Sequence, residues 1–566
     1  MLKALLFVCV SAAVGAAWYA TLPARAQDLP PAPAGLARPV RGAIHVHSTR
    51  SDGTADVEPI AAAAARAGLQ FVIFTDHGDG LREPDPPRYL DGVLCIDAVE
   101  ISTENGHVVA LGLPESPYPL GGEGRDVLED IARLGGFAIA AHPESAKTEL
   151  RWTAWDLPLG GLEWLNADSE WRDESGWSLA RALFSYPGRG TETLASLLDR
   201  PASALERWDN LTRSRRVVGV AGSDAHARIG LRSVGEPYDN NASSLHFPSY
   251  EQVFRLFSNA LPGTTLSGNA EADSTTVIGA IRAGHVYSTI DALAGPAAMS
   301  FSATSGSTMA SSGDVLPLSG PVTLRIQVQA PPDARVAVLK DGDVMEMRTG
   351  VEVELTAPAA PGVFRVEISL PGAPGQPAIP WMVSNPIYVG RDAAEPPPPA
   401  RPRATTFAVL YKDGPLQGWV VEKSDAAVGA IDVVKALPGT QISLRYGLGG
   451  AASASPYVAF VMPAGPELQK FSQLTFIGRA DKPTRVSVQL RDPVGSQGER
   501  WHRSVYLEPE PREVTVYFDD MRPRGATSRP QPNLATAQAV LFVVETVNTP
   551  LGGNGTIWID EIRYGR

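Results

Sequence analysis

Cysteine is nearly absent. The 566 residues hold two, Cys9 and Cys95. Cys9 lies in an N-terminal apolar run without the Leu-Ala/Ser-Gly/Ala context of lipoprotein processing. One thiol is therefore left in the mature chain, and an internal disulfide is excluded. Stability has to come from packed cores. Basic charge is in deficit as well: 49 Lys and Arg stand against 62 Asp and Glu, a net charge of -13. Nucleic acids and anionic membranes are held by basic patches, so neither is an expected partner. Two catalytic signatures are also missing. There is no Gly-x-Ser-x-Gly elbow and no Gly-rich phosphate loop carrying a lysine, so neither a serine nucleophile nor a nucleotide cradle competes for the chemistry.

The apolar run, residues 4–20, follows Lys3 and precedes Ala24-Arg25-Ala26, a small-x-small site. This reads as a signal peptide, residues 1–26, cleaved before Gln27, and predicts a periplasmic or secreted protein of the bacterial envelope. The run is short for a membrane span, so no stable membrane insertion is expected. An uncleaved anchor is the alternative.

The length exceeds what one hydrophobic core organises, and about three domains are expected. After a Pro-rich leader, 27–40, residues 41–295 alternate between strand-like and helix-like patterns. Strands are predicted at 42–47, 69–75, 93–101, 108–111, 137–141, 161–165 and 217–221, and helices at 57–67 and 125–134. Such alternation indicates a parallel α/β sheet or barrel. Residues 296–391 change to short alternating strands, at 323–328, 335–339, 351–355, 363–368 and 382–389, the signature of an immunoglobulin-like β-sandwich. A Pro-rich linker, 392–405, then leads to a second all-β region, 406–566. Its clearer strands fall at 474–478, 485–490, 504–507, 514–518, 540–544 and 556–562. Its end, Gly555-Thr556-Ile557-Trp558-Ile559-Asp560-Glu561-Ile562, resembles the closing strand of galactose-binding-like jelly rolls, the fold of many carbohydrate-binding modules. Carbohydrate binding and a structural or docking role both stay open, since β-sandwiches share such patterns without sharing function.

What the first region does contain is histidine in short motifs. Six of the nine histidines fall between positions 45 and 226, in Ile44-His45-Val46-His47, Thr75-Asp76-His77, Gly106-His107, Ala141-His142-Pro143 and Ser223-Asp224-Ala225-His226. Side chains alternate along a regular strand, so His45 and His47 should point to one side. His77, His142 and Asp224 each follow an apolar run, at the carboxyl end of a predicted strand, where barrels place their chemistry. Neutral imidazole and carboxylate are the ligands of hydrolytic zinc, manganese and iron sites.

In this order the motifs resemble the PHP family, the metal-dependent phosphoesterases named for polymerase and histidinol phosphatase domains. The resemblance covers residues 40–290 and rests on His-x-His with a downstream Asp, then Asp-His, Glu, His, His-Pro and Asp-x-His. It implies a multidomain chain with a distorted (β/α)7 TIM-like barrel ahead of the two β-sandwiches. It also implies three divalent ions, Zn, Mn or Fe, with two or three bound. His45, His47, Glu100 and Asp224 would hold the first, with Glu100 bridging to a second completed by His107 and His142. Asp52, His77 and His226 would hold the third. Asp76 would orient His77 from behind. Asp224, His226 and Arg228 are the residues expected at the reaction itself, Arg228 as a fixed cation for a substrate phosphate. Lys147 and Arg151 read mainly as solvated loop charges. His246, His285 and His502 lie outside the motifs and read as loop or surface residues. Five tryptophans, Trp152, Trp155, Trp164, Trp171 and Trp177, crowd the segment after His142. Trp164 reads as core, and the others offer an aromatic wall for a sugar or base.

The expected function is thus hydrolysis of a phosphate ester or sugar phosphate by a metal-bridging hydroxide at a di- or trinuclear site. The alternatives are a metal-dependent hydrolase of another ester or an amide, and a non-catalytic carbohydrate- or surface-binding protein with a structural metal cluster.

Overall fold

The computed structural model describes residues 15–16, 18–230, 244–245, 247–391, 401, 403–436, 439–450, 455–465, 467–493 and 498–566. Most of the expected signal peptide, most of the Pro-rich linker and His246 lie outside the described residues. Two compact units are present. The first comprises Met1–Asp79, Glu83–Pro114 and Leu128–Pro396, the second Gly80–Arg82, Glu115–Val127 and Pro397–Arg566.

The first unit is built on β1 (Val40–Val46), β2 (Phe71–Phe74), β3 (Arg88–Leu90), β4 (Val93–Asp97), β5 (Val99–Thr103), β6 (Gly106–Leu111), β7 (Phe137–Ala140), β8 (Gly161–Asn166) and β9 (Val218–Ala225). Hydrogen bonding runs from β1 to β2 and β4, passes through Ala98 into β5, continues over β6, β7, β8 and β9, and returns to β1. The ring is closed but not uniformly parallel. β5–β6 and β6–β7 are antiparallel, whereas β1–β2, β2–β4, β7–β8, β8–β9 and β9–β1 are parallel. The cause of the first reversal is local. Only Glu104 and Asn105 join β5 to β6, a hairpin connection, whereas a parallel return needs a crossover of a dozen residues or more. The run 93–101, read as one strand, is two strands that meet at Ala98.

Inside the ring, Ile44, Phe71, Ile73, Leu94, Ile96, Val109, Phe137, Ile139, Val218 and Val220 form one buried cluster. Helix α1 (Val57–Ala67) follows β1 in the chain and packs against β2, β3, β4 and the helix Tyr250–Leu256. Its alanines favour helix, and it stops at Gly68, whose φ of 76° lets its N–H reach the carbonyls of Ala64 and Ala65.

The strands expected as an immunoglobulin-like module belong to this same unit. Met299–Ser305, Val322–Val328 and Glu352–Ala357 pair in one antiparallel sheet. The facing strands do not stand apart from the ring. Met382–Ser384 pairs with β11 (Tyr287–Thr289), β11 with β10 (Ser258–Leu261), and β10 with β1.

The second unit is a β-sandwich of two antiparallel sheets. In one, the long strand Asn554–Gly565 pairs with Phe407–Tyr411, Thr440–Gly447 and Gln473–Ala480. In the other, Tyr457–Pro463, Ala539–Glu545, Thr484–Asp492 and Glu499–Leu507 lie in sequence across the sheet. Alternate residues of both sheets, among them Leu444, Phe460, Phe476, Val488, Trp501, Phe542 and Ile557, fill the interior. Among the described residues no helix is long and apolar enough to cross a membrane.

Candidate metal centre

His45 does not sit in a regular strand. β1 is bulged between Ile44 and Val46 against both neighbours, and His45 has φ 69°. An extra residue in one strand re-aims its side chain, and here it turns His45 inward together with His47, which follows the end of β1. His142 (φ 30°) and Asp224 (φ 42°) also hold left-handed backbone, at the ends of β7 and β9. For non-glycine residues this costs about 1–3 kcal/mol each and persists where surrounding structure enforces it.

These turns help bring all nine candidate ligands into one largely buried cluster. Four overlapping groups have ligand atoms within 4.8 Å of one another: His47, Asp52, His77 and His226; His45, His47 and Asp224; His45, Glu100 and His142; and His77, Glu100 and His107. Glu100 is the centre. Its Oε1 is 2.7 Å from His107 Nδ1 and 2.8 Å from His142 Nε2, while Oε2 is 3.2 Å from His45 Nε2, 3.3 Å from His47 Nε2 and 3.2 Å from His77 Nδ1. Asp224 Oδ1 lies 3.4 Å from His45 Nε2 and 3.3 Å from His47 Nε2, and Asp52 Oδ1 lies 3.2 Å from His226 Nε2. His47 thus also joins the group expected for the third ion. His77 and His226 keep 15% and 11% of their side chains exposed, more than the other ligands, and mark the side from which solvent enters.

Three imidazoles are tied from behind. His45 Nδ1 lies 2.6 Å from Glu163 Oε1, His142 Nδ1 3.1 Å from the Leu150 carbonyl, and His226 Nδ1 2.9 Å from the Asp224 carbonyl. Each acceptor requires the proton on Nδ1 and leaves the Nε2 lone pair facing carboxylates inside the cluster. Imidazole lone pairs facing carboxylate oxygens in a buried volume are balanced by positive charge between them, either protons or cations, and this donor set of imidazole and carboxylate fits divalent metal ions.

The carboxylates create the same demand for positive charge in the metal-free cluster, where protons on the imidazoles meet it. Burial alone would depress the imidazoles, but Asp224, Glu163 and Glu100 hold His45 well above its ordinary value, and Asp224 and Glu100 carry His47 up to about 10. His142 and His226 are raised against burial by Glu100 and Asp52 respectively. His77 goes the other way, down to about 4, because burial together with the neighbouring His47 outweighs Glu100. Burial would likewise raise Glu100, Asp224 and Asp52, and the surrounding imidazoles instead hold all three well below the carboxylate range.

Some expected roles change. Asp76 does not orient His77. Its Oδ1 accepts from the Ser48 N–H and the Ser51 hydroxyl and its Oδ2 from the Ser48 hydroxyl, so it holds the loop that follows His47. The aromatic wall does not form as read. Trp152, Trp164 and Trp171 are buried, Trp155 lies under the Arg207 guanidinium, and Trp177 is exposed. Arg151 is turned to the Ser145 carbonyl. Arg228 is directed at the cluster, with Nη2 3.4 Å from Asp52 Oδ2. Of the outlying histidines, His285 pairs with Asp314 in a partly exposed loop, but His502 is a buried strand residue 3.2 Å from Glu123 Oε1. Sequence reading missed Glu163 and also Tyr250, whose hydroxyl donates to the His47 carbonyl and accepts from the Thr54 N–H. A charged residue inside the buried run Gly161-Leu162-Glu163-Trp164-Leu165 was the available signal for Glu163.

No family model matches the chain, and no curated protein matches it in sequence. Among solved structures, the chain is similar to the family 11 carbohydrate-binding module of the cellulosomal cellulase Lic26A-Cel5E of Clostridium thermocellum. Identity is 15%, with 29% of this chain and 96% of that one covered and a TM-score of 0.25. The family 30 module of the cellulosomal cellulase Cel9D-Cel44B of the same organism is similar at 11% identity, covering 28% and 96%, with a TM-score of 0.23. A carbohydrate-binding module described as of the β-sandwich superfamily is similar at 14% identity, covering 43% and 92%, with a TM-score of 0.22.

Proposed function

We propose that the first unit is a metal-dependent hydrolase of a phosphate ester, of the kind the PHP-like motif order implies, in an exported protein. The observation that carries this reading is Glu100, which turns one oxygen to His107 and His142 and the other to His45, His47 and His77. That is the arrangement of a carboxylate shared between two cation positions. His45, His47 and Asp224 would hold one ion, Glu100 with His107 and His142 a second, and Asp52, His77 and His226 a third. Divalent ions bound there would polarise a phosphoryl oxygen and lower the pKa of water at the site. Arg228 supplies what the carboxylates cannot, a positive charge for the ester's remaining oxygens. Its Nε and Nη2 are buried without a hydrogen-bond partner among the described residues. A planar fork with Nε unbonded and Nη2 ion-paired to Asp52 at 3.4 Å suits a tetrahedral anion drawn in beside that carboxylate. His226, with its Nδ1 turned to the Asp224 carbonyl and its Nε2 beside Asp52, would serve as a ligand of the third ion at the more exposed side, not as a proton carrier.

The test is a screen of the purified chain, loaded in turn with Mn2+, Zn2+ and Fe2+, against phosphomonoesters, phosphodiesters, sugar phosphates, carboxylic esters and amides. Metal-dependent release of phosphate supports the reading. Turnover confined to carboxylic esters or amides would replace it with the non-phosphate alternative.

A second reading concerns the second unit, carbohydrate binding. It is favoured by an open cleft of about 670 Å3 lined by Tyr457, Glu422, Arg491, Arg500 and Gln538. A sugar ring stacks on an aromatic face while its hydroxyls exchange hydrogen bonds with such polar groups. Glu422 and Arg491 hold one another at 2.7 and 3.0 Å, which presets both. Calorimetric titration with soluble oligosaccharides, repeated on Tyr457→Ala, tests it.

A further inference from the structure

One buried carboxylate serves the cluster without belonging to any of its ligand groups. Glu163, in β8, is 1% exposed. Its Oε1 lies 2.6 Å from His45 Nδ1, and its Oε2 accepts from the His142 backbone N–H and from Asn166 Nδ2, both at 2.7 Å. The carboxylate therefore joins the bulge of β1 to the strained end of β7. β8 is itself irregular here, with a register shift between Glu163 and Leu165 against β9. The carboxylate reaches along β9 from its register partner Val220 to Gly222, where a Cβ would fall 2.0 Å from Glu163 Oε1, so only glycine leaves room for it. β9 then runs on from Gly222 to Asp224.

From this geometry we infer that Glu163 is a positioning residue for the metal centre. It keeps the proton of His45 on Nδ1, so that Nε2 faces the cations, and it fixes His45 and His142 relative to one another. The inference rests on the metal reading above and goes beyond it, because Glu163 contributes no ligand atom. Isosteric Glu163→Gln can still accept from the His142 N–H, but its charge is gone and its amide group can face the His45 Nδ1–H donor. His45 should then lose its preferred tautomer. Ligand-orienting partners of this type change metal affinity by about 10–100-fold when removed.

The experiment is a Zn2+ titration of wild type, Glu163→Gln and Glu163→Asp against a chromophoric chelator. The same samples give melting curves and 15N spectra of labelled histidine rings. The expected result is Zn2+ binding by wild type, binding weaker by about 10–100-fold in Glu163→Gln with a melting temperature within a few degrees of wild type, and loss of the Nδ1–H signature of His45. Glu163→Asp keeps the charge but withdraws it from Nδ1, and should fall between them. Wild-type affinity and tautomer in Glu163→Gln, or in Glu163→Asp if the first variant does not fold, would overturn the inference. Zn2+ binding by wild type without hydrolysis of any phosphate ester would remove the phosphoesterase reading and leave the role of Glu163 intact. A wild type that binds no Zn2+ would overturn both.

Discussion

Arg228 separates holding the substrate from holding the metals. It offers donors to the cluster but no ligand atom, so Arg228→Met should leave metal content unchanged and raise KM for a phosphomonoester by about 10–100-fold, the value of one or two charged hydrogen bonds. Arg228→Lys should recover part of that loss, as a point charge without the fork. Unchanged kinetics in both variants would mean that the guanidinium does not touch substrate. Glu170 makes a different prediction. Burial pushes its carboxyl up to about 8, and the nearby Asp173 and Glu144 add to the effect against the Asp199 N–H. A raised carboxyl favours the protonated fold, so the stability it allows is present near pH 4.5 and is lost as pH rises through 8. Glu170→Gln should match wild type near pH 5 and exceed it at pH 9, by up to about 4 kcal/mol at about 1.4 kcal/mol per pH unit. Equal denaturation midpoints at both pH values would show that Glu170 stays ionised in the fold. At this scale the sequence was most informative about which residues gather in the cluster, because histidine beside Asp or Glu at strand ends is unusual chemistry. Glu163 was hidden because one charged residue in an apolar run reads as an ordinary strand position.

At the scale of elements, β1 was legible as a strand but its bulge was not. A bulge leaves apolar composition unchanged and shifts register by one residue, which only the pairing partners reveal. The helix at 57–67 was legible to the residue, since alanine composition and Gly68 act locally. The loop after β1 is held by Tyr250, on the helix Tyr250–Leu256, through bonds of 2.7 Å to the His47 carbonyl and 3.1 Å from the Thr54 N–H. Tyr250→Phe removes both bonds while keeping the ring. It should destabilise the protein by about 1–3 kcal/mol and weaken metal retention, as read by urea titration and by metal content after dialysis. Full metal retention after the substitution would show that the loop holds His47 without this clamp.

Over the whole molecule, the alternation of pattern types separated an α/β region from all-β regions. It did not reveal that strands of the expected immunoglobulin-like module hydrogen-bond through β11 and β10 to the ring, because local pattern carries no information about partners distant in sequence. Nor did it show that residues 115–127 belong with the C-terminal sandwich. Within that second unit, Asp126 binds Arg485 and Arg503, and Glu123 faces His502. A chain ending at residue 396 should therefore keep its metal content and turnover of small substrates, but with a lower melting temperature than the full chain, since Glu123 and Asp126 lose these partners. Loss of bound metal on truncation would show that the centre depends on the second unit. The central claim, a shared-carboxylate metal centre that hydrolyses phosphate esters, is tested most directly at Glu100. Metal content, circular dichroism and phosphate release should be measured together on wild type, Glu100→Gln and, as a control outside the cluster, His285→Ala. The expected result is a folded Glu100→Gln with less bound metal and turnover lower by several orders of magnitude, beside an unchanged His285→Ala. Glu100→Gln with wild-type metal content and wild-type turnover would contradict it.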